Sequence, residues 1–433
     1  MKWLEVNKSG PLNGSVSITG SKNSALALLS ATLLSDEVVT LNQIPNIEDM
    51  RVICEIFNEL GATSSWEDDK LVIDPTNIYT GVIDPMKSSS YRASYYLVGA
   101  LLQKMKKIRI GYPGGDNFLS RPIDQHIKGW QALGAKVTLL ENEYIVEADR
   151  LVGADIYFDT ITSGATMNMM MTAVLADGKT TLKNTAKDPE VVDLANLLNT
   201  MGANVIGAGT SQIIIHGVKE LSGCTYRVIP DRLVAGSFLM SVGLNGGTIT
   251  VNNVIPEHLR SCIAKLTETG IEIYEEGSSI TAIGGENLKA IRIRTGMYPQ
   301  FPTDLQQPFT SLLLNANGRS IITEKVYPHR YSHIQQLLQM GANIKTRQGT
   351  AFIQGKSKLS GSLVKATDVR AGICLIMAGM IAEGTTIITG LNHIERGYEN
   401  IVSLYQSLGA NIEFYEGKYL FDKRLEQLSD LGQ

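Results

Sequence analysis

The sequence lacks the features of several protein classes. Charged residues make up only 19% of its 433 residues. No long Ser, Gln or Glu tract and no Pro-rich linker interrupts it, so we expect order nearly from end to end. No apolar run approaches the roughly 18 residues of a membrane span, and the first ten residues, MKWLEVNKSG, contain no apolar signal-peptide core. These absences predict a globular protein, which we expect to be cytoplasmic.

Basic residues are not in excess, and cysteines are few. The net charge of -4 argues against a nucleic-acid or anionic-membrane surface, because such surfaces carry clustered cations. The four cysteines show no CxxC or Cys/His spacing, so we expect neither a metal site nor a disulfide framework: Cys54, Cys224, Cys262 and Cys374. An anionic ligand must therefore be met by a local group of cations.

A short motif recurs six times along the chain. It reads NELGA, QALGA, NTMGA, TETGI, LQMGA and QSLGA, at intervals of 68 to 73 residues. Each repeat reads as a strand, an apolar helix, a second strand, an amphipathic helix closed by the motif, and a hairpin, or βαβαββ. We expect the motif glycine to end the second helix, because glycine readily adopts the left-handed conformation found there.

The first helix of each repeat is predicted to be buried. The stretches ALALLSATLLS, GATMNMMMTAVLA and AGSFLMSVGL have almost no polar face. A helix that is apolar all round belongs in a core, so we expect helices inside, sheets outside and three repeats per globule. The polar loops that precede these helices should then gather at one end of each globule, where helix N-termini can bind anions.

The loop before the first helix is polar in all six repeats. Taken singly, a cation at a helix start is usually solvated and an Asp there is usually an N-cap. Taken together, the six loops favour a functional site. Their polar residues are Lys22 and Asn23, Arg92, Thr162 and Ser163, Asp231 and Arg232, Asp304, and Asp368 and Arg370.

At these residues the chain resembles the enolpyruvyltransferases, in the branch that acts on UDP-N-acetylglucosamine. The matching runs span almost the whole chain in the family's order: GSKNSAL, RAS, PGGD followed by RPID, DPEVVD, YRVIPDR, FPTDLQ, ATDVRA and HIERGYE. The resemblance implies two inside-out α/β barrel domains, each of three βαβαββ repeats. Residues 21–230 would form the domain with the mobile loop, and residues 1–20 plus 231–433 the second, with a cleft between them that closes on substrates.

The resemblance also implies an activity. Such enzymes transfer the enolpyruvyl group of phosphoenolpyruvate to the 3′-hydroxyl of UDP-N-acetylglucosamine and release phosphate, the first committed step of peptidoglycan synthesis. They use neither a metal nor an organic cofactor. We therefore expect these two small molecules as substrates, and neither nucleic acid nor a membrane as a partner.

Carried over position by position, the resemblance implies roles for individual residues. Asp304 resembles the acid that orients and deprotonates the sugar hydroxyl, and Asp368 the acid near the reacting carbon. Lys22, Arg121 and Arg396 resemble the clamp on phosphoenolpyruvate. The implied catalytic residues are Asp116, Asp304, Lys22 and Asp368. The implied substrate-binding residues are Asn23, Arg92, Arg121, Pro122, Ile123, Asp124, Thr162, Ser163, Gly164, Val326, Arg330, Arg370 and Arg396.

One loop departs from the family at a reactive position. The family's loop usually reads PGGC, and its cysteine is the target of the epoxide antibiotic fosfomycin, whereas this chain has Asp116. A carboxyl group can donate a proton as that cysteine does, provided that its pKa is raised from the usual value near 3.9. We expect Asp116 to act as the general acid. We also expect fosfomycin resistance, because an epoxide reacts poorly with a carboxylate.

The nucleotide side departs further. Gln125 stands where the family has an apolar residue, Thr160 where a Lys is common, and Pro328 and His329 where Glu-Asn is usual. These changes leave open an enolpyruvyltransferase with a different nucleotide or sugar acceptor. They also leave open a non-catalytic paralogue that binds a nucleotide sugar, although such a binder has no need of the retained charged set. 5-Enolpyruvylshikimate-3-phosphate synthase shares the fold, but the PGGD and RPID runs fit the sugar-nucleotide branch better.

Overall fold

The chain folds into two compact units. The structure is a computed structural model, and it describes residues 1–114, 122–285 and 287–430. The first unit contains residues 1–18 together with the chain from Asp231 onward, and the second contains Thr19–Pro230. The backbone therefore passes from one unit to the other twice. In the described part of the chain, no helix has the length and apolar character needed to cross a membrane.

Helices and strands alternate along the whole chain. The helices are α1 (Lys22–Thr32), α2 (Glu48–Leu60), α3 (Pro85–Ser90), α4 (Tyr96–Met105), α5 (Asp124–Ala132), α6 (Ser163–Ala173), α7 (Pro189–Thr200), α8 (Arg232–Asn245), α9 (Arg260–Thr269), α10 (Gln306–Leu313), α11 (Ser332–Gln339), α12 (Val369–Gly379), α13 (Leu391–Glu395), α14 (Ile401–Ser407) and α15 (Lys418–Asp430). Three short 3₁₀ helices span Arg92–Tyr95, Pro256–Leu259 and Thr303–Leu305.

The strands are short, mostly three to six residues. They are β1 (Lys2–Asn7), β2 (Leu12–Ser17), β3 (Val39–Asn42), β4 (Thr63–Glu67), β5 (Lys70–Asp74), β6 (Lys107–Gly111), β7 (Lys136–Leu139), β8 (Glu143–Glu147), β9 (Asp155–Tyr157), β10 (Lys179–Lys183), β11 (Asn204–Ile206), β12 (Gln212–His216), β13 (Thr225–Arg227), β14 (Gly247–Asn252), β15 (Glu272–Glu276), β16 (Ser279–Gly284), β17 (Arg292–Arg294), β18 (Arg319–Thr323), β19 (Asn343–Arg347), β20 (Thr350–Gln354), β21 (Leu363–Lys365), β22 (Thr385–Thr389) and β23 (Ile412–Glu416).

Six small sheets in the described residues repeat one pairing pattern. Five have four strands, in the orders β13-β3-β5-β4, β11-β12-β10-β9, β2-β14-β16-β15, β17-β18-β20-β19 and β21-β22-β1-β23. In each, one edge strand pairs in parallel with the central strand that follows a buried helix, and the other contacts are antiparallel. The sixth sheet, β6-β8-β7, has only three strands, but a parallel bridge from Val82 to Arg109 marks the place of the fourth. This pattern confirms the sixfold repeat.

The first helix of every repeat lies in a core. In one unit α4 contacts both α1 and α6, and in the other α10 contacts both α8 and α12. Every residue of α12 is buried, and so are nine of the eleven residues of α1. Each unit has its own hydrophobic core. The prediction of buried helices is therefore confirmed, and its cause is that these helices have no polar side to offer to water.

The motif glycines follow the second helices, as predicted. All six have a positive φ, between 91° and 103°. Gly61, for example, ends α2 with φ 102° and ψ -2°, and its N–H bonds the carbonyl of Asn58. A residue with a Cβ is strained in this conformation, which explains why glycine recurs at this point of each repeat.

Two of these glycines offer a matched test of packing. We expect Gly202→Ala to destabilise its unit by about 1 kcal/mol through backbone strain alone, because φ is 103° and no atom lies within 4 Å of the added Cβ. Gly61→Ala should cost roughly 1–3 kcal/mol more, because its Cβ would lie 2.3 Å from the backbone oxygen of Asn77. Urea unfolding midpoints of the two variants measure the difference. Equal midpoints would contradict this account of the packing at Gly61.

Candidate active site

Three buried helices of the first unit begin close together. Asp368, the N-cap of α12, accepts a hydrogen bond from Gln307 in the first turn of α10, with 3.2 Å between Nε2 and Oδ2. Asp304, just before α10, lies 3.4 Å from Nε of Arg370 in α12. The N-cap of α8, Asp231, interacts electrostatically with the same arginine. The helix starts of this unit therefore converge, as the sequence predicted.

Asp304 is held between two guanidinium groups. Oδ1 of Asp304 lies 2.6 Å from Nη1 of Arg330, and Oδ2 lies 3.4 Å from Nε of Arg370. The arginine side chains are only 4% exposed, whereas that of Asp304 is 26% exposed. The carboxylate is therefore the member of this cluster that is most open to solvent. It is not the N-cap of α10, since it lies within the 3₁₀ helix that precedes that helix.

Both arginines remain cationic despite their burial. Burial by itself lowers the pKa of the Arg330 guanidinium, but the charges of Asp304 and Asp368 outweigh it and leave that pKa above its usual value. The pKa of Arg370 is also raised, because Tyr398 and Asp304 outweigh the effect of burial. Two positive charges therefore lie beside the carboxylate of Asp304.

Arg370 is fixed by a second contact. Its Nη1 donates to the hydroxyl of Tyr398 at 2.9 Å, and that hydroxyl lies 2.9 Å from Oγ of Ser237 in α8. The guanidinium carbon is 5.3 Å from the centre of the Tyr398 ring. These contacts limit the freedom of Arg370, so the geometry it imposes on Asp304 is well defined.

Glu324 organises the loop that carries Arg330, and sequence reasoning missed it. Its buried carboxylate accepts hydrogen bonds from the hydroxyls of Thr295 and Thr303 at 2.7 and 2.9 Å. It also accepts hydrogen bonds from the backbone N–H groups of Val326 and Tyr327 at 2.8 and 3.0 Å. Val326, one of the implied substrate-binding residues, is half-buried. No sequence spacing signals this role, because the donors come from three separate segments.

Thr303 links Glu324 to the arginine–aspartate pair. Its hydroxyl donates to Oε2 of Glu324 and accepts from Nη1 of Arg330 at 3.1 Å. The same Nη1 contacts Asp304 at 2.6 Å. Thr303 therefore connects a buried carboxylate to the arginine that holds Asp304.

Asp368 is occupied by structural hydrogen bonds. It is only 2% exposed, and its Oδ1 accepts from the N–H groups of Arg370 and Ala371 at 2.9 and 3.0 Å, as an N-cap does. Its Oδ2 accepts from Gln307 and from the hydroxyl of Ser332, both at 3.2 Å. The catalytic role implied for Asp368 stays a prediction.

In the second unit, Lys22 is paired with an acid. Its Nζ lies 2.9 Å from Oδ2 of Asp49 in α2, and the two side chains are 12% and 5% exposed. Lys22 opens α1, and its neighbour Asn23 is exposed. An anion that binds Lys22 must compete with Asp49 for the ammonium group. Sequence reasoning missed Asp49, because an acid in the first turn of a helix is common and has no spacing relation to Lys22.

Arg92 lies above an aromatic pair. Its guanidinium carbon is 5.9 Å from the centre of the Tyr95 ring, and that ring is 4.2 Å from the ring of His126. Burial, followed by the charge of Arg92, lowers the pKa of His126 to about 3, so this histidine is neutral. The amide of Asn168 donates to the Tyr95 carbonyl at 3.1 Å and contacts Nδ1 of His126 at 2.9 Å. The aromatic pair beneath Arg92 is therefore uncharged and is held by the Asn168 amide.

The residues implied in nucleotide binding lie in two segments of the second unit. Pro122 and Asp124 are exposed at the start of α5, and Ile123 between them is 7% exposed. Thr162 is the N-cap of α6 and accepts from the N–H of Ala165. These segments present polar groups and backbone N–H groups at helix starts, which suits anion binding.

Ser163 and Gly164 are constrained by their neighbours. The Ser163 hydroxyl donates to Oδ2 of Asp188 at 2.9 Å. A Cβ at Gly164 would lie 2.6 Å from the Tyr95 hydroxyl oxygen, so a side chain is excluded there. Glycine at this position brings the start of α6 against the aromatic pair beneath Arg92.

Three implied site residues remain: Arg396, Asp116 and Arg121. Arg396 is half-buried at the end of α13. Asp116 and Arg121 lie outside the described residues. Within the described part of the chain, no group of three or more His, Cys, Asp or Glu side chains is arranged to hold a metal ion.

Solved structures of enolpyruvyltransferases share this fold. The enolpyruvyl transferase NikO from Streptomyces tendae matches with a TM-score of 0.87 and 22% identity, over 96% of this chain and 99% of NikO. EPSP synthase from Acinetobacter baumannii matches with a TM-score of 0.75 and 16% identity, over 96% of this chain and 100% of that enzyme. The predicted enolpyruvyltransferase fold is therefore confirmed.

Sequence comparison supplies nearer relatives. The UDP-N-acetylglucosamine 1-carboxyvinyltransferase of Clostridium botulinum is 49% identical over 95% of this chain and 99% of its own length. UDP-N-acetylglucosamine 1-carboxyvinyltransferase 2 of Bacillus subtilis is 45% identical over 99% of this chain and 100% of its own length. Residues 6–404 match the family described as EPSP synthase (3-phosphoshikimate 1-carboxyvinyltransferase). The chain therefore belongs to the EPSP synthase family of enolpyruvyltransferases.

Proposed function

We propose that this protein transfers the enolpyruvyl group of phosphoenolpyruvate to the 3′-hydroxyl of UDP-N-acetylglucosamine and releases phosphate. The observation that carries the proposal is the 45–49% identity, over 95–99% of the chain, to relatives named for this transfer. The reaction would be the first committed step of peptidoglycan synthesis, with consequences for cell shape and division. We place the reaction in the cytoplasm.

The first requirement of this reaction is binding of the highly charged phosphoenolpyruvate. We propose that Lys22, Arg92, Arg121, Arg370 and Arg396 contact its phosphate and carboxylate. Arg is suited to this task because its planar fork matches these groups in geometry. The pairing of Lys22 with Asp49 supports the proposal, because a partly buried ammonium held by one carboxylate is positioned before substrate arrives.

The second requirement is removal of a proton from the sugar hydroxyl. We propose that Asp304 orients this hydroxyl and accepts its proton as the oxygen attacks C2 of phosphoenolpyruvate. The partial exposure of Asp304 supports this role, since its carboxylate is accessible while its two arginine partners are buried. Because those two arginines hold the carboxylate in place, the main contribution of Asp304 is its position.

The third requirement is a proton for C3 of phosphoenolpyruvate, which becomes a methyl group in the tetrahedral ketal. We propose that Asp116 donates this proton. Loss of a proton from that methyl group and of phosphate from C2 then gives the enolpyruvyl ether. An Asp can act as the acid only if its pKa is raised, and an adjacent substrate anion together with exclusion of water would raise it.

A different acceptor is the second candidate. Gln125 is buried at the start of α5, and Thr160 is exposed where the family commonly has a Lys. These two residues adjoin the segments assigned to the nucleotide, so an altered nucleotide or sugar would be accommodated there. The same phosphate-release assay with other nucleotide sugars distinguishes this candidate from the first.

One prediction of the proposed function concerns Asp116. Wild-type protein should release phosphate from phosphoenolpyruvate when UDP-N-acetylglucosamine is present, and fosfomycin should leave turnover unchanged because no thiolate attacks the epoxide. Asp116→Asn should lower kcat by about 100-fold or more, because it cannot donate the proton. Asp116→Cys is the matched control, since it should keep activity and become sensitive to fosfomycin. Inactivation of the wild type by stoichiometric fosfomycin would contradict the prediction.

Another prediction concerns the position of Asp304. Thr303→Val keeps the side-chain shape but removes the hydroxyl that accepts from Arg330, so we expect kcat to fall about tenfold, equivalent to roughly 1.4 kcal/mol in the barrier. Thr303→Ser retains the hydroxyl, so its kcat should stay within about twofold of the wild-type value. Asp304→Asn serves as the reference variant in which the proposed base itself is removed. Steady-state kinetics and thermal midpoints check this. Equal kcat values for the Val and Ser variants would refute a role for the hydroxyl.

A further inference from the structure

Gln125 uses its whole side-chain amide in one polar junction. It is only 6% exposed, in the first turn of α5. Its Oε1 accepts from the backbone N–H of Asp159 at 2.9 Å. Its Nε2 donates to Oδ2 of Asp124 at 2.7 Å and to Oδ2 of Asp159 at 3.2 Å. The acceptor and both donor hydrogens of the amide are thus engaged.

The junction joins the two segments assigned to the acceptor nucleotide. Asp124 belongs to the segment that opens α5, and Asp159 belongs to the segment that leads to Thr162, the N-cap of α6. The Gln125 amide therefore forms hydrogen bonds with residues of both segments. Without it, the backbone N–H of Asp159 would lose its side-chain acceptor and Asp124 would lose a donor.

Lys128 completes the junction. It lies one helical turn after Asp124 in α5, and its Nζ is 2.7 Å from Oδ1 of Asp159. The Lys128 ammonium, followed by the Gln125 amide, holds the pKa of Asp159 below its usual value. Asp159 is thus a charged partner for both side chains. The junction also places a cation beside the residue that precedes Thr160, the position where the family commonly has a Lys.

An apolar residue at position 125 could not form this junction. A buried amide is costly unless its polar atoms are hydrogen-bonded, and here all of them are. An apolar residue would fill the same space and leave the two segments joined by the Lys128–Asp159 ion pair and by packing. Gln in place of an apolar residue at position 125 therefore strengthens the link between the two segments. It does not decide whether α5 forms.

We propose that Gln125 is a specificity-determining positioning residue for the acceptor. By fixing Asp124 relative to residues 159–164, it sets the affinity for the nucleotide diphosphate of a uridine-diphosphate sugar. This inference rests on the proposed function. Gln125 acts through its neighbours and touches no reacting atom, so its effect belongs in acceptor affinity and not in the chemical step.

The test measures KM and kcat of a Gln125 variant and compares both with the wild-type values. Gln125→Leu should raise the KM for UDP-N-acetylglucosamine about tenfold, because the loosened segments must be ordered by the substrate. Its kcat and its KM for phosphoenolpyruvate should stay within about twofold of wild type. Gln131→Leu is the matched control, since it makes the same change at an exposed position of the same helix. An unchanged acceptor KM, or a fall confined to kcat, would overturn the proposal.

A second variant guards against misfolding of the first. Asp159→Ala removes the other end of the junction at a side chain that is 61% exposed, so the fold should tolerate it. We expect the same severalfold rise in acceptor KM. A normal acceptor KM in a folded Asp159→Ala protein would overturn the inference even if Gln125→Leu were insoluble.

Failure of the proposed function is distinguishable from failure of this inference. If wild-type protein does not turn over UDP-N-acetylglucosamine, the proposed function fails, and calorimetric titration with UDP then decides the role of Gln125. Binding of UDP that weakens about tenfold in Gln125→Leu supports the inference. Equal affinities, or no UDP binding by wild-type protein, overturn it.

Discussion

Burial of six apolar helices is the constraint on which the rest of the structure depends. Because these helices have no polar side, sheets must cover them, and only their ends can meet water. The first N–H groups of a helix lack partners within it, so polar residues gather at the starts. Asp231 and Asp368 cap two helices in one unit, and Ser21 and Thr162 cap two in the other. The need to satisfy the first N–H groups of these helices thus brings polar residues to the helix starts, where the candidate site lies.

Pairing of buried charges keeps the cations of the candidate site charged and in place. A buried cation must be paired to remain charged, and a substrate anion then competes with or joins the pair. Lys22 is paired with Asp49, while Arg330 and Arg370 share Asp304. The carboxylate of the second cluster is more open to solvent than its arginines, which supports the proposal that it contacts the acceptor hydroxyl. In the proposed mechanism, this carboxylate contributes through its position.

Periodicity and local chemistry predicted most of the fold. The spacing of the motif glycines revealed the repeat, and the apolar stretches identified the buried helices. The contacts of Glu324, Thr303 and Asp49 were not predictable, because each joins segments that only the folded chain brings together. Gln125 is an intermediate case. Its departure from the family was visible in the sequence, but its bonds to Asp124 and Asp159 required the structure.

The central claim is that substrates bind at the starts of the buried helices. Hydrogen–deuterium exchange of the protein, with and without phosphoenolpyruvate and UDP-N-acetylglucosamine, tests it most directly. The account predicts slower amide exchange around Lys22, Thr162 and Asp304 when both substrates are present, and no change around Gly61 and Gly202 at the ends of the outer helices. Unchanged exchange at the helix starts, or protection confined to those glycine segments, would contradict it.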